Sequence, residues 1–196
     1  MIKVSAILLA AGLSQRMGKD KLLLEYNGKP ILQIAIELLT DLPVYERIIV
    51  TTEDRAKKIT LLTNVFLFFN PKPEAGKSSS IKIGVEAATG THFLFLTADQ
   101  PKLKTGDILP LLEAAGNNQD KIIYPVVNSN PTSPTLFPEY YRMELINLQN
   151  TPQAKQNDLG GQIIRDKNRE SCLAIEPDDP FNFIDTDTYD DYKKIT

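Results

Sequence analysis

Short apolar segments alternate with segments of helical periodicity along most of the chain. Five runs rich in Val, Ile, Leu and Phe predict buried strands, at 4–9, 47–50, 65–69, 93–96 and 121–126. Between them, apolar residues at helical spacing predict helices at 30–39, 54–62, 80–88 and 107–115, with Pro30 in a first turn and Ser80 as a cap. This alternation is typical of an α/β fold whose mostly parallel sheet carries helices on both faces. Ligands of such sheets bind beyond the carboxyl ends of the strands.

The remaining segments are less regular. The turn-rich stretch 128–138 is interpreted as a long functional loop, because structureless loops of that length in compact domains usually carry function. Cys172 lies in an apolar segment, 171–175, and is expected to fill a strand. His92, just before the fourth strand, is interpreted as a surface turn residue. An acidic tail ends in a helix-like segment, 189–195.

Composition narrows the class of protein. At 196 residues the chain fits one domain, 1–196, and its 42% hydrophobic content supplies a core. A net charge of −3 and a pI near 5.3 argue against a nucleic-acid partner held by bulk charge. No apolar run approaches the roughly 20 residues of a membrane helix, and no signal-peptide pattern precedes the first strand. A single cysteine excludes an internal disulfide, so we expect a cytoplasmic protein without membrane partners.

The candidate chemistry begins in the first loop, which follows the first predicted strand and spans residues 10–21. Ala10, Ala11 and Gly12 leave backbone N–H groups open, and the cations Arg16 and Lys21 follow. Backbone amides cradle phosphate oxygens, a guanidinium grips two of them, and a lysine acts as a point charge. The loop lacks the Gly-Lys-Ser/Thr of a Walker A motif and the three glycines of a dinucleotide fingerprint. It therefore predicts a polyphosphate site of another kind, in preference to a turn with solvated charges.

Carboxylates at two later positions are candidates for a metal. Asp99 follows the predicted strand 93–96, whose end faces the same crevice as the first loop. Mg²⁺ at a triphosphate takes one or two carboxylates plus phosphate oxygens, which favours Asp99 as a ligand over an Asx turn or helix cap. Asp185 and Asp187 lie two apart in an extended segment and would face one ion. Capping of the last helix by Asp187 or Thr188 is the alternative for this pair.

Three of these segments resemble the nucleotidyltransferases related to the molybdenum cofactor guanylyl- and cytidylyltransferases. The opening motif is carried by Leu9, Ala10, Ala11, Gly12, Ser14, Arg16, Gly18 and Lys21. Segment 98–101, Ala-Asp-Gln-Pro, matches a family motif whose aspartate binds magnesium, and 185–192 resembles a motif near the family's end. The resemblance implies a three-layer Rossmann-like nucleotidyltransferase fold with a mostly parallel central sheet. The guanylyl branch usually has Ala-Gly-Gly where this chain has Ala-Ala-Gly, so the cytidylyltransferase branch and CTP are favoured.

The resemblance also suggests residues for nucleotide and acceptor. The nucleotide would be bound by residues of the opening motif and by a match to the family's base-recognising Gly-x-Ser-Ser-Ser; the candidates are Leu9, Ala10, Ala11, Gly12, Ser14, Gly76, Ser78, Ser79 and Ser80. A Gly/Ser loop that caps a helix needs no ligand and is the alternative for the last four. On the acceptor side, the matches are Pro134, Asp158 and Gly160.

The acceptor half departs from the family pattern. Gln162 replaces a usual arginine, and a second arginine position reads Pro131. Two cations that would hold an anionic pterin are therefore absent. Substitutes are available in Lys155, Arg165 and Lys167, and nothing in the sequence chooses among them.

The activity implied by the resemblance is Mg²⁺-dependent transfer of a nucleotidyl group from an NTP, with CTP expected, to the phosphate of molybdopterin. Arg16, Lys21 and Asp99 would be catalytic, and Asp99 with Asp185 or Asp187 would hold Mg²⁺. One alternative is transfer from GTP or to another phosphorylated acceptor. Another is a non-catalytic nucleotide-binding chaperone that delivers cofactor to a molybdoenzyme. The intact pair Lys21 and Asp99 favours catalysis, because a mere binder has less need of a leaving-group clamp.

Overall fold

The computed structural model of the protein describes residues 2–13, 19–60 and 63–195. The strands are β1 (Val4–Ala10), β2 (Glu25–Tyr26), β3 (Lys29–Pro30), β4 (Glu46–Thr51), β5 (Phe66–Phe69), β6 (His92–Thr97), β7 (Ile122–Val127), β8 (Asn130–Pro131), β9 (Thr135–Pro138) and β10 (Cys172–Ile175). The α-helices are α1 (Ile31–Asp41), α2 (Glu53–Ala56), α3 (Lys77–Ala87), α4 (Thr105–Asn117), α5 (Arg142–Asn147), α6 (Pro152–Gln156), α7 (Gln162–Lys167) and α8 (Tyr189–Ile195). Short 3-10 helices lie at Lys21–Leu23, Pro73–Ala75, Glu139–Tyr141, Leu148–Asn150, Arg169–Ser171 and Pro180–Phe183.

The main sheet has the order β10-β7-β9-β6-β1-β4-β5, with β8 paired to β7, while β2 and β3 form a separate hairpin. β1 pairs in parallel with β4 and β6, β4 with β5, and β10 with β7. Among the described residues of this sheet, only β8 and β9 pair antiparallel to their neighbours. The predicted mostly parallel sheet is confirmed. Its carboxyl ends bring the residues after β1 and β6 to one edge, as parallel pairing requires.

Helices cover both faces of this sheet. Leu8 of β1 belongs to a buried cluster that contains Ile36 of α1, whereas its neighbour Ile7 belongs to a cluster that contains Ile81 of α3. Successive strand residues point to opposite faces, so a strand buried on both sides is apolar at consecutive positions. This accounts for the unbroken apolar run of β1 and confirms the three-layer α/β architecture. No helix among the described residues has the length and apolar character needed to cross a bilayer.

The interpretation of 128–138 as one long loop is wrong, because Asn130–Pro131 form β8, which turns back on β7, and a second strand follows. Residues Thr135–Pro138 form β9, which inserts between β6 and β7, with Leu136 opposite Leu94 of β6 and Ile123 of β7. Leu136 and Phe137 are fully buried there. This strand is hard to predict from sequence because it is only four residues long and ends in a proline. Prolines normally indicate an edge strand or the end of a strand.

The helix predictions hold in place but shift at their starts. α3 begins at Lys77 instead of Ser80, because Gly76 turns the chain at φ +93° and is followed at once by helix. The helix expected over 54–62 is a single turn, Glu53–Ala56, in which Thr52 caps the N–H of Arg55 at 3.4 Å. Pro30 precedes α1 and lies outside its first turn. The helix-like segment 189–195 is confirmed as α8.

The interpretation of His92 as a surface turn residue is also wrong. His92 is the first residue of β6 and is only 4% exposed. Its Nε2 lies 3.0 Å from the Gln119 carbonyl oxygen, and its Nδ1 lies 3.0 Å from Thr91 Oγ1. A carbonyl only accepts, so Nε2 carries the proton of a neutral ring and Nδ1 accepts from Thr91. Burial lowers the pKa of His92 below its ordinary value, and the bond to Gln119 opposes this only in part.

We expect His92 to make the fold sensitive to acid. Because the folded-state pKa lies below the unfolded value of about 6.5, the unfolded chain takes up the proton first, and stability falls as pH drops below that value. His92→Gln keeps a donor near Nε2 and does not titrate. Chemical denaturation between pH 5 and 8 should therefore show the wild type losing free energy of unfolding on acidification relative to His92→Gln. Parallel pH curves for the two proteins would contradict this.

Candidate active site

A cavity of about 370 Å³ opens where β1 and β6 end. Leu9, Ala11, Gly12 and Lys21 line it from the region of the first loop; Gly76, Lys77 and Ser80 from the start of α3; Thr97, Ala98 and Asp99 from the end of β6; and Asp187 from the tail. Segments that the sequence analysis placed in one crevice therefore do meet. Ala10 does not line this cavity, because its side chain is fully buried in the core.

The centre of the site is an ammonium group held between two carboxylates. Lys21 Nζ donates to Asp99 Oδ2 at 2.6 Å and to Asp187 Oδ1 at 2.7 Å. The side chains of Lys21 and Asp99 are 14% and 18% exposed, whereas that of Asp187 is 45% exposed. The pair of Lys21 with Asp99 is thus largely shielded from water, where charge pairing is stronger than at the surface.

The acidic tail reaches this centre through backbone and side-chain hydrogen bonds. The N–H of Thr186 donates to the Asp99 carbonyl oxygen at 2.9 Å, so the tail crosses directly over the end of β6. Gln100 Nε2 donates to the carbonyl oxygens of Phe183 at 3.1 Å and Ser133 at 3.2 Å. Gln100 therefore joins the tail, the segment before β9 and the strand end that carries Asp99.

Ionisation of the central pair is mutually supported. Burial alone would lower the pKa of Lys21, but the charges and hydrogen bonds of Asp99 and Asp187 outweigh it and raise that pKa above its ordinary value. Burial likewise disfavours the Asp99 carboxylate, but Lys21, with a smaller contribution from Lys77, lowers the pKa of Asp99. Both groups are therefore charged at neutral pH.

Asp185 behaves differently because it faces other acids. Loss of hydration in the crevice, and then repulsion from Asp99 and Asp187, raises the pKa of Asp185 to about 7. The residue as a whole is exposed and does not line the 370 Å³ cavity, so solvent screens part of this repulsion. A carboxyl group with this pKa is poised to lose its proton when a cation arrives.

The donor set fits a magnesium ion shared with phosphate. Asp99 Oδ1 is buried and has no hydrogen-bond partner among the described residues, so one oxygen of this carboxylate is available to a ligand. No cluster of three or more His, Cys, Asp or Glu side chains suited to a metal occurs in the described ranges. Mg²⁺ takes few protein carboxylates and completes its octahedron with phosphate oxygens and water, so this sparse set matches its habit.

The three consecutive serines of α3 serve different purposes. Ser80 lines the cavity, and its Oγ accepts from Asn70 Nδ2 at 2.9 Å. Ser79 Oγ donates to the Gly76 carbonyl oxygen at 2.7 Å, and the N–H of Ser78 donates to Asp158 Oδ2 at 2.7 Å. Gly76 and Ser80 thus border the cavity, while Ser78 and Ser79 hold the turn that shapes it.

The residues expected on the acceptor side support that same turn. Asp158 accepts from both the N–H and the hydroxyl of Ser78 and from the N–H of Gly160 at 3.0 Å. Gly160 has φ +60°, and a side chain there would strike the stem of Lys77. Pro134 follows Ser133 through a cis peptide bond and is buried. Asp158 and Gly160 therefore fix the segment between α6 and α7 against α3.

A second, small cavity of about 30 Å³ adjoins the first and shares Leu9, Lys77 and Thr97 with it. Gln162 and Arg165 of α7 also line it. Arg165 is 6% exposed, its Nε donates to Asp166 Oδ1 at 3.1 Å, and its guanidinium lies 5.0 Å from the ring centroid of Tyr124. Of the three substitute cations considered from sequence, Arg165 is the one that lines this cavity.

Comparison with known proteins agrees with this geometry. Residues 6–167 match the model of the family described as the MobA-like NTP transferase domain. The chain belongs to this family. It is a nucleotidyltransferase, as the sequence resemblance implied.

Among curated relatives of this MobA-like chain, the molybdenum cofactor cytidylyltransferase of Escherichia coli (strain K12) is 30% identical over 92% of this chain and 95% of that protein. The molybdenum cofactor guanylyltransferase of Pseudomonas fluorescens (strain Pf0-1) is 29% identical over 60% of this chain and 58% of that protein. Among solved structures, Rv0371c of Mycobacterium tuberculosis has a TM-score of 0.79 at 18% identity, covering 99% of this chain and 97% of its own. A nucleotidyl transferase from Methanothermobacter has a TM-score of 0.77 at 20% identity, covering 98% and 95%. These two structural neighbours share the fold.

Three residues of the family's opening motif, Ser14, Arg16 and Gly18, lie outside the described residues. Two residues that the sequence analysis did not single out join the site of this MobA-like chain. Lys77, the first residue of α3, borders both cavities, and Arg55 binds both sides of the first loop. Their partners are distant in sequence, so no local motif indicates either of them.

We expect Lys21→Ala and Asp99→Ala to lower turnover by about 10²–10³-fold or more, the scale of losing one preorganised charged group. Lys29→Ala is the matched control, because Lys29 also pairs with a carboxylate, Glu37, but on an exposed face. Initial rates of pyrophosphate release and thermal unfolding should be measured on the same preparations. Wild-type turnover in a folded Lys21 or Asp99 variant would remove that residue from catalysis.

Proposed function

We propose that the protein transfers a cytidylyl group from CTP to the terminal phosphate of a molybdopterin-type acceptor and releases pyrophosphate. The observation that carries this proposal is the Lys21 ammonium, held between Asp99 and Asp187 in a cavity bordered by the first loop. A cation fixed at a strand end beside a loop of small residues suits a triphosphate. An oxygen of the acceptor phosphate would attack the α-phosphorus, and the bond to the β-phosphate oxygen would break with its electron pair leaving on pyrophosphate.

In this proposal Lys21 and Arg16 stabilise the triphosphate and the departing pyrophosphate. Asp99 and Asp187 already hold the Lys21 ammonium in the site. An incoming phosphate would therefore pair with the charge of Lys21 without another side chain having to move in. The acceptor phosphate is itself an ionised nucleophile, so no general base is required. Catalysis is then positioning plus electrostatic stabilisation.

Magnesium would be held by Asp99, through its unpartnered Oδ1, together with Asp185 or Asp187. When bound, Mg²⁺ neutralises charge on the phosphates. The pKa of Asp185 is raised to about 7 by loss of hydration and then by repulsion from Asp99 and Asp187, and a bound cation would relieve that repulsion, which supports this assignment.

Lys77 and Arg165 are proposed to recognise the anionic acceptor in place of the missing arginines. Lys77 borders the cavities on both sides, and Arg165 shares the smaller one with Gln162. Cations at the junction of the two spaces would bring the acceptor phosphate up to the nucleotide. The choice of CTP rests on the Ala-Ala-Gly run at 10–12 and on the E. coli relative. That relative is named a cytidylyltransferase, and its match to this chain covers nearly its whole length.

The test is pyrophosphate release by purified protein with each of CTP, GTP, ATP and UTP, with and without molybdopterin. We expect release with CTP that depends on both molybdopterin and Mg²⁺ and is abolished by EDTA. Release with GTP instead would reassign the base and keep the chemistry. Absence of release with all four nucleotides in the presence of molybdopterin and Mg²⁺ would overturn the proposed reaction.

We expect Lys77→Ala to raise the KM for molybdopterin about 10-fold or more, the range of one lost charged hydrogen bond, and to change the KM for CTP less. Lys82→Ala is the matched control, because Lys82 lies on the same helix and pairs on the outside with Glu86 at 3.9 Å. Steady-state kinetics with each substrate varied in turn separates the two effects. An unchanged acceptor KM in Lys77→Ala would reassign acceptor binding to other groups.

A further inference from the structure

Arg55 is a buried cation whose side-chain hydrogen bonds, within the described residues, all go to the two sides of the first loop. Its Nη1 donates to the Ala10 carbonyl oxygen at 2.7 Å, and its Nη2 donates to the Gly12 carbonyl oxygen at 2.6 Å. Across the loop, Nε donates to Asp20 Oδ2 at 2.7 Å, and Nη2 also donates to Asp20 Oδ1 at 2.9 Å. One guanidinium therefore joins the residues before 14–18 to a residue after them.

The fold holds Arg55 firmly in this position. α2, which carries Arg55, follows β4 after a single residue, Thr52, and the Thr52 hydroxyl caps the N–H of Arg55. β4 is the direct parallel neighbour of β1, so the Arg55 side chain needs to cross only to the adjacent strand end. The residue is 6% exposed. Burying a cation this deeply is costly unless every polar contact is good, and here planar geometry serves a bidentate carboxylate and two carbonyls at once.

The chain of contacts continues to the central lysine. Asp20 Oδ1 also accepts the N–H of Leu22 at 3.2 Å and caps the 3-10 helix Lys21–Leu23. Asp20 thus fixes the backbone on which Lys21 stands, while Arg55 fixes Asp20. The path from Arg55 to the ammonium that faces Asp99 and Asp187 runs through one carboxylate and one capped turn.

We propose that Arg55 is a positioning residue that holds residues 10–12 and Asp20 in place for the phosphates of the nucleotide and aims Lys21 into the site. This inference rests on the proposed nucleotide chemistry for its functional effect. Its structural part, the link that Arg55 makes between residues 10–12 and Asp20, stands on the hydrogen bonds alone. Arg55 does not itself line the 370 Å³ cavity, so it acts through the groups it holds.

The experiment compares wild type, Arg55→Lys, Arg55→Ala and Asp20→Asn. Lysine keeps the charge but loses the planar fork, so it is informative even if the alanine variant fails to fold. Hydrogen exchange of peptides covering residues 10–22 is measured first, without nucleotide, and we expect faster exchange in Arg55→Lys. Binding of CTP and of cytidine is measured next. We expect the Kd for CTP to rise about 10-fold or more in Arg55→Lys, while that for cytidine changes little.

The matched control is Arg142→Lys. Arg142 also ties together main-chain carbonyls, those of Val85, Ala88 and Gly90, and lies 3.4 Å from the Glu139 carboxylate. It borders neither of the two cavities of the site. Arg142→Lys should reproduce any general loss of stability without the selective loss of CTP affinity. Because Arg55 and Asp20 act through one ion pair, their effects on kcat/KM should also be non-additive in the double variant.

The possible failures are distinguishable. Exchange in 10–22 and CTP binding that are both unchanged in folded Arg55→Lys would overturn the positioning role, whatever reaction the protein performs. Additive effects of the Arg55 and Asp20 variants on kcat/KM would overturn the path through Asp20. A wild-type protein that binds no nucleotide would overturn the proposed function, yet the exchange measurement would still decide whether Arg55 orders the loop.

Discussion

The site depends on one interaction, the ion pair that Lys21 makes with Asp99 and Asp187. These three side chains come from the segment after β1, from the end of β6 and from the tail. The positive charge of Lys21 offsets the repulsion between the two carboxylates in the crevice. Without the ammonium, Asp99 and Asp187 would repel each other and Asp185, whose pKa is already raised to about 7. The fold therefore concentrates negative charge at a strand end only because it places a cation inside the cluster.

The rest of the architecture serves to hold that cluster in place. Parallel pairing of β1 with β6 aligns Leu9 with Thr97, which puts the first loop beside Asp99. Backbone bonding of Thr186 to Asp99 adds the tail, and Asp158, which accepts the N–H of Ser78, fixes the start of α3 at the wall of the cavity. Most of these supports are hydrogen bonds to main-chain groups, which tolerate little displacement, so the charged groups are preorganised for a polyanion before it arrives.

The parts that could be predicted from sequence are those with local causes. An unbroken apolar run ending in Ala-Ala-Gly indicated β1 and its loop, and the apolar run before Asp99 indicated β6. Both could be predicted because a strand buried on both faces is apolar at consecutive positions. Arg55 and Lys77 were missed because their roles depend on partners brought close by the sheet: Arg55 meets Asp20 across 35 positions, and Lys77 meets Gly160 across the cavity wall. Strand β9 was missed because its four residues carry no periodic signal.

The sequence separation within the central ion pair has a consequence for how the molecule is made. Lys21 and Asp187 are 166 positions apart, and Lys21 and Asp99 are 78 apart. Closing loops of that size costs conformational entropy, and other contacts must offset this cost. Pairing of β1 with β6 already closes a loop of this size and brings the first loop beside Asp99, whereas Asp187 joins the cluster through the tail that crosses the end of β6. A chain in which the sheet is formed and the tail is undocked would therefore bring Lys21 to Asp99 without the third charge of the cluster.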